Sequence, residues 1–136
     1  MLTALLCPVV QADGEKAEVE LRVYIVAPPS VTTIDAKGVG AKRADLYGSL
    51  TSLGSASTVL VYFEWGLTTS YGSTTTEQTM TSPGAFRAII TGLTPATTYH
   101  FRAVAVGDGT SHGLDRSFTT PGQWWKKLWQ WFLSFL

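Results

Sequence analysis

The sequence predicts an all-β sandwich preceded by one extra strand and followed by an amphipathic, Trp-rich helix. Three observations carry this. Short runs of alternating apolar and polar residues, separated by Gly, Ser and Thr turns, extend from Ser30 to Thr120. A further alternating run at 18–26 is closed by Pro28-Pro29. At Gln123 the composition changes abruptly, and four of the five tryptophans fall in the last fourteen residues.

In chain order, residues 1–12 form a short apolar run ending in Val10-Gln11-Ala12, the small-residue spacing that a signal peptidase accepts, although no basic residue precedes it. The segment reads either as the remnant of a leader or as a retained apolar terminus. Residues 13–29 hold the extra strand and its joint. Val19, Leu21, Val23 and Ile25 share one face of a half-buried strand, and the two prolines fix an extended link because each ring locks φ and removes a donor. That strand needs a sheet edge, either on its own domain or, as a donated strand, on a neighbouring copy.

Residues 30–120 predict strands near 31–37, 43–51, 58–65, 74–80, 85–91, 97–106 and 113–120, with Gly107-Asp108-Gly109 as a tight connection before the last. The expected inward faces are Ala44, Leu46 and Leu50; Val59, Val61, Phe63 and Trp65; Phe86, Ala88 and Ile90; and Tyr99, Phe101, Ala103 and Ala105. In the segment 121–136, Gln123, Lys126, Lys127, Gln130 and Ser134 fall on one narrow helical stripe. The remaining arc is apolar: Trp124, Trp125, Leu128, Trp129, Trp131, Phe132, Leu133, Phe135 and Leu136. Four Trp side chains of roughly 150–250 Å² each, at about 25 cal/mol per Å², represent an upper bound of about 15–25 kcal/mol of burial. Something must cover that face. Fourteen residues span about 21 Å as a helix, short of a bilayer core, whereas lying in the interfacial plane suits the Trp and Lys composition.

The run Thr91-Gly92-Leu93-Thr94-Pro95-Ala96-Thr97-Thr98-Tyr99-His100-Phe101 resembles the corner between two sheets of fibronectin type III domains. The resemblance implies a fibronectin type III or immunoglobulin-like sandwich over about residues 29–120, with Leu93 plugging the core, Pro95 setting the turn and Tyr99 capping upstream backbone. Phe63-Glu64-Trp65-Gly66, Thr69-Ser70-Tyr71-Gly72 and Ser117-Phe118-Thr119-Thr120 are similar to the variant found in bacterial and archaeal surface proteins. The sequence departs from animal members in carrying Leu46 and Gly48 where a core Trp is usual, with Trp65 on the next strand instead.

Composition narrows the function. Lys+Arg and Asp+Glu are equal at ten each, so no basic footprint for nucleic acid exists. Charged residues are only 15% of the chain while Ser and Thr number thirty, a surface of extracellular type. One cysteine, Cys7, excludes an internal disulfide and a thiolate metal cage. His100 and His112 lack metal-ligand spacing, and His100 is expected to face outward from its strand. Ser111, His112 and Asp115 are neighbours in one loop, which cannot aim a catalytic triad. Gly38-Val39-Gly40 reads as a turn rather than a nucleotide loop, and Asp35, Asp45, Asp108 and Asp115 lack the spacing of a calcium loop. No enzyme, cofactor or metal is expected. A carbohydrate-binding role lacks a clear aromatic platform, with Tyr47, Tyr62 and Tyr71 the only candidates within the sandwich.

The expected function is that of an extracellular structural subunit that self-assembles into a filament or surface layer through its terminal extensions. The alternative is a surface or adhesion module held at a membrane interface by the C-terminal helix. The expected partner is accordingly another copy of the chain or a bilayer surface.

Overall fold

The computed structural model describes the backbone of residues 3–13 and 16–136 and the side chains of 22–123 and 126–136. Its elements are β1 (Thr3–Asp13), β2 (Lys16–Val26), β3 (Ser30–Lys37), β4 (Arg43–Ser52), β5 (Val59–Gly66), β6 (Gly72–Thr74), β7 (Gln78–Met80), β8 (Gly84–Thr91), β9 (Thr98–Gly107), β10 (Gly109–His112), β11 (Arg116–Thr119) and α1 (Trp124–Leu133). One sheet has the order β3-β4-β8. The other is built on the central pair β5 and β9, with β6 and β7 along the outer side of β5, and β10 and β11 along the outer side of β9. All these pairings are antiparallel. The two sheets face each other as a sandwich.

The period-two patterns decide which residues meet between the sheets, because successive side chains point to opposite faces. Ala44, Leu46 and Leu50 from β4 oppose Val59, Val61 and Phe63 from β5 and Phe101, Ala103 and Ala105 from β9, all of them buried. Six aromatic rings run through this core as a connected series. Phe86 lies 5.0 Å from Phe63, Phe63 lies 6.3 Å from Phe101, and Phe101 lies 5.9 Å from Phe118. Phe118 then stacks on Tyr99 at 5.7 Å, and Tyr99 meets Trp65 at 5.9 Å. The absence of a Trp on β4 is explained by Gly48, which sits opposite Phe86. A Cβ there would come within 2.7 Å of the Phe86 ring and 3.2 Å of the Ala103 methyl, so Phe86 from β8, the neighbouring strand of the same sheet, fills the space that a large residue on β4 would need.

Two segments expected as single strands are interrupted. Residues 74–80 divide into β6 and β7 because Thr75 leaves the ladder and binds β5 in another way: its hydroxyl accepts from Phe63 N at 3.0 Å while its own N–H donates to Phe63 O at 2.9 Å. Residues 113–120 divide because β10 already occupies 109–112, and β11 begins only at Arg116. Between them Gly113 N donates to Ala103 O at 2.9 Å. The buried Thr33 of β3 bridges toward the same strand, its Oγ1 accepting from Ala103 N at 3.0 Å.

The N-terminus departs most from expectation. Residues 3–13, expected as a short apolar segment, form strand β1, which pairs with β2 along its whole length from Thr3↔Val26 to Asp13↔Lys16. The extra strand therefore takes its partner from the adjacent segment. Neither an edge of the sandwich nor a neighbouring copy is required to complete it. Half-burial also fails where it can be read: Val23 is 58% and Ile25 64% exposed. The side chains of Val19 and Leu21 lie outside the described residues.

Candidate functional site

The residues with potential chemistry gather on the outer face of the β5-β9 sheet, in a different grouping from the one that neighbours in sequence suggested. Asp115 does not serve His112. One carboxylate oxygen lies 2.8 Å from His100 Nδ1, and the other accepts from the Tyr71 hydroxyl at 2.9 Å. His100 thus faces outward from β9, as its place on the strand implied, and pairs with a carboxylate of the 113–115 loop. The Arg102 guanidinium lies over the Tyr71 ring, 4.8 Å from its centroid, and its Nε donates to Glu64 at 2.7 Å. Burial first, and then the bond to Asp115, push the Tyr71 phenol up to about 12. Tyr71 holds φ at 57°, a left-handed conformation costly for a residue with a Cβ. The network ties the 67–71 loop and the 113–115 loop to one sheet face. Within it the Tyr71 hydroxyl, both Asp115 oxygens, His100 Nδ1, Arg102 Nε and Glu64 Oε2 are engaged with one another. Among the described residues no group of three or more His, Cys, Asp or Glu is placed to hold a metal ion. Asp35 of β3 and Asp45 of β4 pair separately with arginines, Asp35 with Arg116 at 3.3 Å and Asp45 with Arg43 at 3.2 Å.

The corner residues act on the fold. Leu93 is buried, Tyr99 accepts from Thr94 N–H at 2.9 Å through its hydroxyl, and Pro95 O accepts from the Thr97 hydroxyl at 3.0 Å. The turn also receives the chain's exit: Thr120 Oγ1 donates to Thr94 O at 2.6 Å, and Ala96 N donates to Pro121 O at 3.3 Å. Helix α1 therefore leaves the sandwich at the pole where β9 begins.

The hairpin joins the opposite pole, where β9 ends. Ala27 N donates to Ser55 Oγ at 2.6 Å, and Ser55 N returns a bond to Ala27 O at 2.9 Å. Gly54, at φ +67°, lies so close to Ala27 O that any side chain would collide with it. Pro29 is buried, and Pro28 packs against the turn at Gly109. The two prolines are therefore part of a clamped root. Since β9 contains ten residues, the two poles are separated by about 30 Å.

The register of β1 against β2 groups residues in a way that neither strand shows alone. Directly opposed residues of an antiparallel pair share a face. One face collects the pairs Ala4↔Ile25, Leu6↔Val23, Pro8↔Leu21, Val10↔Val19 and Ala12↔Ala17, all apolar. The other set is Thr3↔Val26, Leu5↔Tyr24, Cys7↔Arg22, Val9↔Glu20, Gln11↔Glu18 and Asp13↔Lys16, apolar toward the Val26 end and charged toward the turn. The signal lay in the apolar run of 4–12, which becomes legible once it is paired with 17–25.

Helix α1 begins at Gln123 without a side-chain cap and has no acidic residue in its first turn. At ten residues it is shorter than helices that persist alone in water, so its persistence depends on covering its apolar face. That face is bare: Leu128, Trp129, Trp131, Phe132, Leu133, Phe135 and Leu136 are all exposed, from 51% at Leu128 to 93% at Leu136. The side chains of Trp124 and Trp125 lie outside the described residues. Contacts within the helix, Trp131 with Phe135 at 4.7 Å and Trp129 with Phe132 at 6.4 Å, arrange the rings without hiding them. Among the described residues no helix is long and apolar enough to cross a membrane.

No protein-family model matches the chain, and no curated protein matches its sequence. Solved structures do match. The sensor domain of the anti-sigma factor RsgI4 of Pseudobacteroides cellulosolvens is 19% identical, with a TM-score of 0.57 over 71% of this chain and 98% of that one. A computationally redesigned β-sandwich protein is 22% identical, with a TM-score of 0.52 over 69% of this chain and 96% of its own. The sixth fibronectin type III domain of human fibronectin type III domain containing protein 3 is 22% identical over 72% of this chain and 85% of its own, with a TM-score of 0.47. At these identities the shared property is the fold. With its two antiparallel sheets and its tyrosine-capped corner, residues 30–120 form a fibronectin type III-like β-sandwich.

Proposed function

We propose that the protein is a non-enzymatic structural subunit, working outside the cell, whose sandwich is a rigid spacer and whose terminal extensions hold it to other copies of itself. The observation that carries this reading is the position of the extensions: two elements with apolar residues rooted at opposite ends of a sandwich in which, among the described residues, every buried side-chain polar atom has a partner. Contacts made at opposite poles propagate in a line, and a heterologous contact that does not close produces an open polymer. The Ser- and Thr-rich, weakly charged surface supports an extracellular setting.

Sedimentation and negative-stain microscopy of the full chain test the proposal. Ordered polymers are expected in the absence of lipid, and deletion of 123–136 should leave monomers with unchanged β-sheet circular dichroism. A second reading is favoured by the exposed Trp residues beside Lys126 and Lys127, a composition suited to the bilayer interface. Under that reading the full chain stays monomeric in buffer and pellets with anionic vesicles.

A further inference from the structure

We propose that the groove at one edge of the sandwich, between Trp65 and β8, is a binding site for a neutral saccharide chain. On the opposite edge the sheets are tied together, where the Thr33 hydroxyl of β3 accepts from Ala103 N of β9. On the Trp65 side, β8 ends its sheet and the outer side of β5 carries β6 and β7, with a groove of about 440 Å³ left between. That volume lies within the range of about 300–1,000 Å³ usual for small-molecule clefts. One wall is Trp65 with residues 74–76 and Gln78, where the ladder along β5 is interrupted between β6 and β7; the other is residues 88–91 of β8. Trp65 and Val61, the partner of Gln78, are about 13 Å apart along β5 at roughly 3.3 Å per residue, longer than one sugar ring.

The chemistry of the lining selects the ligand class. No charged side chain lines the groove, so an ionic ligand finds no counter-charge there. Its hydrogen-bonding groups are neutral and open. Trp65 is half-buried, and its indole N–H donates to no described residue yet is not sealed from water. Thr76 and Thr91 are exposed, and their hydroxyls likewise bond to no described residue. Gln78 uses its Nε2 on the Arg87 carbonyl at 2.8 Å and keeps Oε1 as an acceptor. Among these groups stand apolar surfaces, the Trp65 ring and Ile89, which is 51% exposed. A sugar ring offers the matching mixture: hydroxyls that both donate and accept around its rim, and C–H faces that pack on apolar groups. The aromatic surface is thus Trp65 and none of Tyr47, Tyr62 and Tyr71. The sequence pattern places Trp65 among the inward residues of β5, but its ring sits at the margin of the core, 5.9 Å from Tyr99, and borders the groove.

An added peptide strand is the competing occupant, because β8 is an edge strand. Gln78 stands against it, since its bond to Arg87 O, in the middle of β8, already takes an outward-facing carbonyl that an added ladder would need. The saccharide site is independent of how the terminal extensions are used.

Isothermal titration calorimetry of the full chain tests the site, since heat is read whether the chain is monomeric or assembled. The probes are cellohexaose, xylohexaose and mannohexaose, with hexagalacturonate as the acidic comparison and a hexapeptide of alternating Thr and Val as the strand comparison. At least one neutral oligosaccharide should bind by millimolar concentration, and the acidic oligomer and the peptide should not. Trp65→Phe keeps a ring against Tyr99 and removes the N–H, so it should weaken binding about two- to tenfold. Thr76→Val with Thr91→Val alters only exposed positions, should weaken binding at least as much, and reads the groove even if the Trp65 variant misfolds. Tyr62→Ala, on the outer sheet face, should leave the affinity unchanged. Silence from all three neutral probes overturns the proposal. So does preference for the acidic oligomer or the peptide, and so does an affinity that both groove variants leave intact.

Discussion

Phe63 and Phe132 are the same side chain in two opposed situations. Phe63 is fully buried, with Phe86 and Phe101 rings on either side. Phe132 meets Trp129 of its own helix and is otherwise 59% exposed. Apolar content is thus no guide to which part of the chain forms the core. What separates the two is the number of facing elements. β4, β5, β8 and β9 present complementary faces within one chain, whereas the described apolar side chains of α1 from Leu128 to Leu136 are exposed.

The same substitution in the two regions breaks or sharpens that contrast most directly. Phe63→Ala should cost about 3–5 kcal/mol of stability in urea unfolding, through lost burial and a residual cavity. Phe132→Ala should move the midpoint of the sandwich by less than about 0.5 kcal/mol while weakening association. Equal losses would mean that the helix belongs to the folding unit after all. Tyr99→Phe should have an intermediate effect, about 1–2 kcal/mol, by leaving Thr94 N–H without its acceptor. An unchanged midpoint would show that the corner holds without its hydroxyl.

The smallest effect concerns pH. The Tyr71 phenol titrates near 12 in the folded protein against an ordinary value of 10.0. A group whose proton is held more tightly in the folded state contributes stability that is complete below pH 10 and is lost as pH rises toward 12. Stability should therefore decline across that interval, and Tyr71→Phe should flatten the decline. Tyr62, also raised by burial and then by Glu64 and Glu77, contributes in the same direction.

The sandwich was readable from sequence because its sheets each have one wet face, so Ala44, Leu46 and Leu50 alternate with Asp45, Tyr47 and Ser49. The corner was readable because its turn needs Gly, Pro and Tyr at fixed spacing. Strand β1 was hidden for the complementary reason: Leu5, Leu6, Cys7, Pro8, Val9 and Val10 put apolar residues on both faces, which erases the period of two and leaves a run that resembles a leader. The Asp115 network was hidden by distance along the chain. Tyr71 lies 44 residues and His100 15 residues from Asp115, and the pairings of β9 with β5 and with β11 bring them together, while the adjacent His112 drew attention by proximity alone.

The clamped root of the hairpin also determines how the molecule would carry load. Tension applied between the two extensions enters at Ala27 and leaves at Thr120, parallel to the strands. Ladder bonds lie across that direction, so β3 would slide along β4 with its bonds strained together, instead of being peeled one at a time. The register of β3 against β4 shifts twice, at Ser30/Val31 and at Ile34/Lys37. Only four residues tie β11 to β9 at the other end. Yielding under force should therefore begin at these two seams, leaving the β5-β9 pair and its aromatic series as the last part to give way.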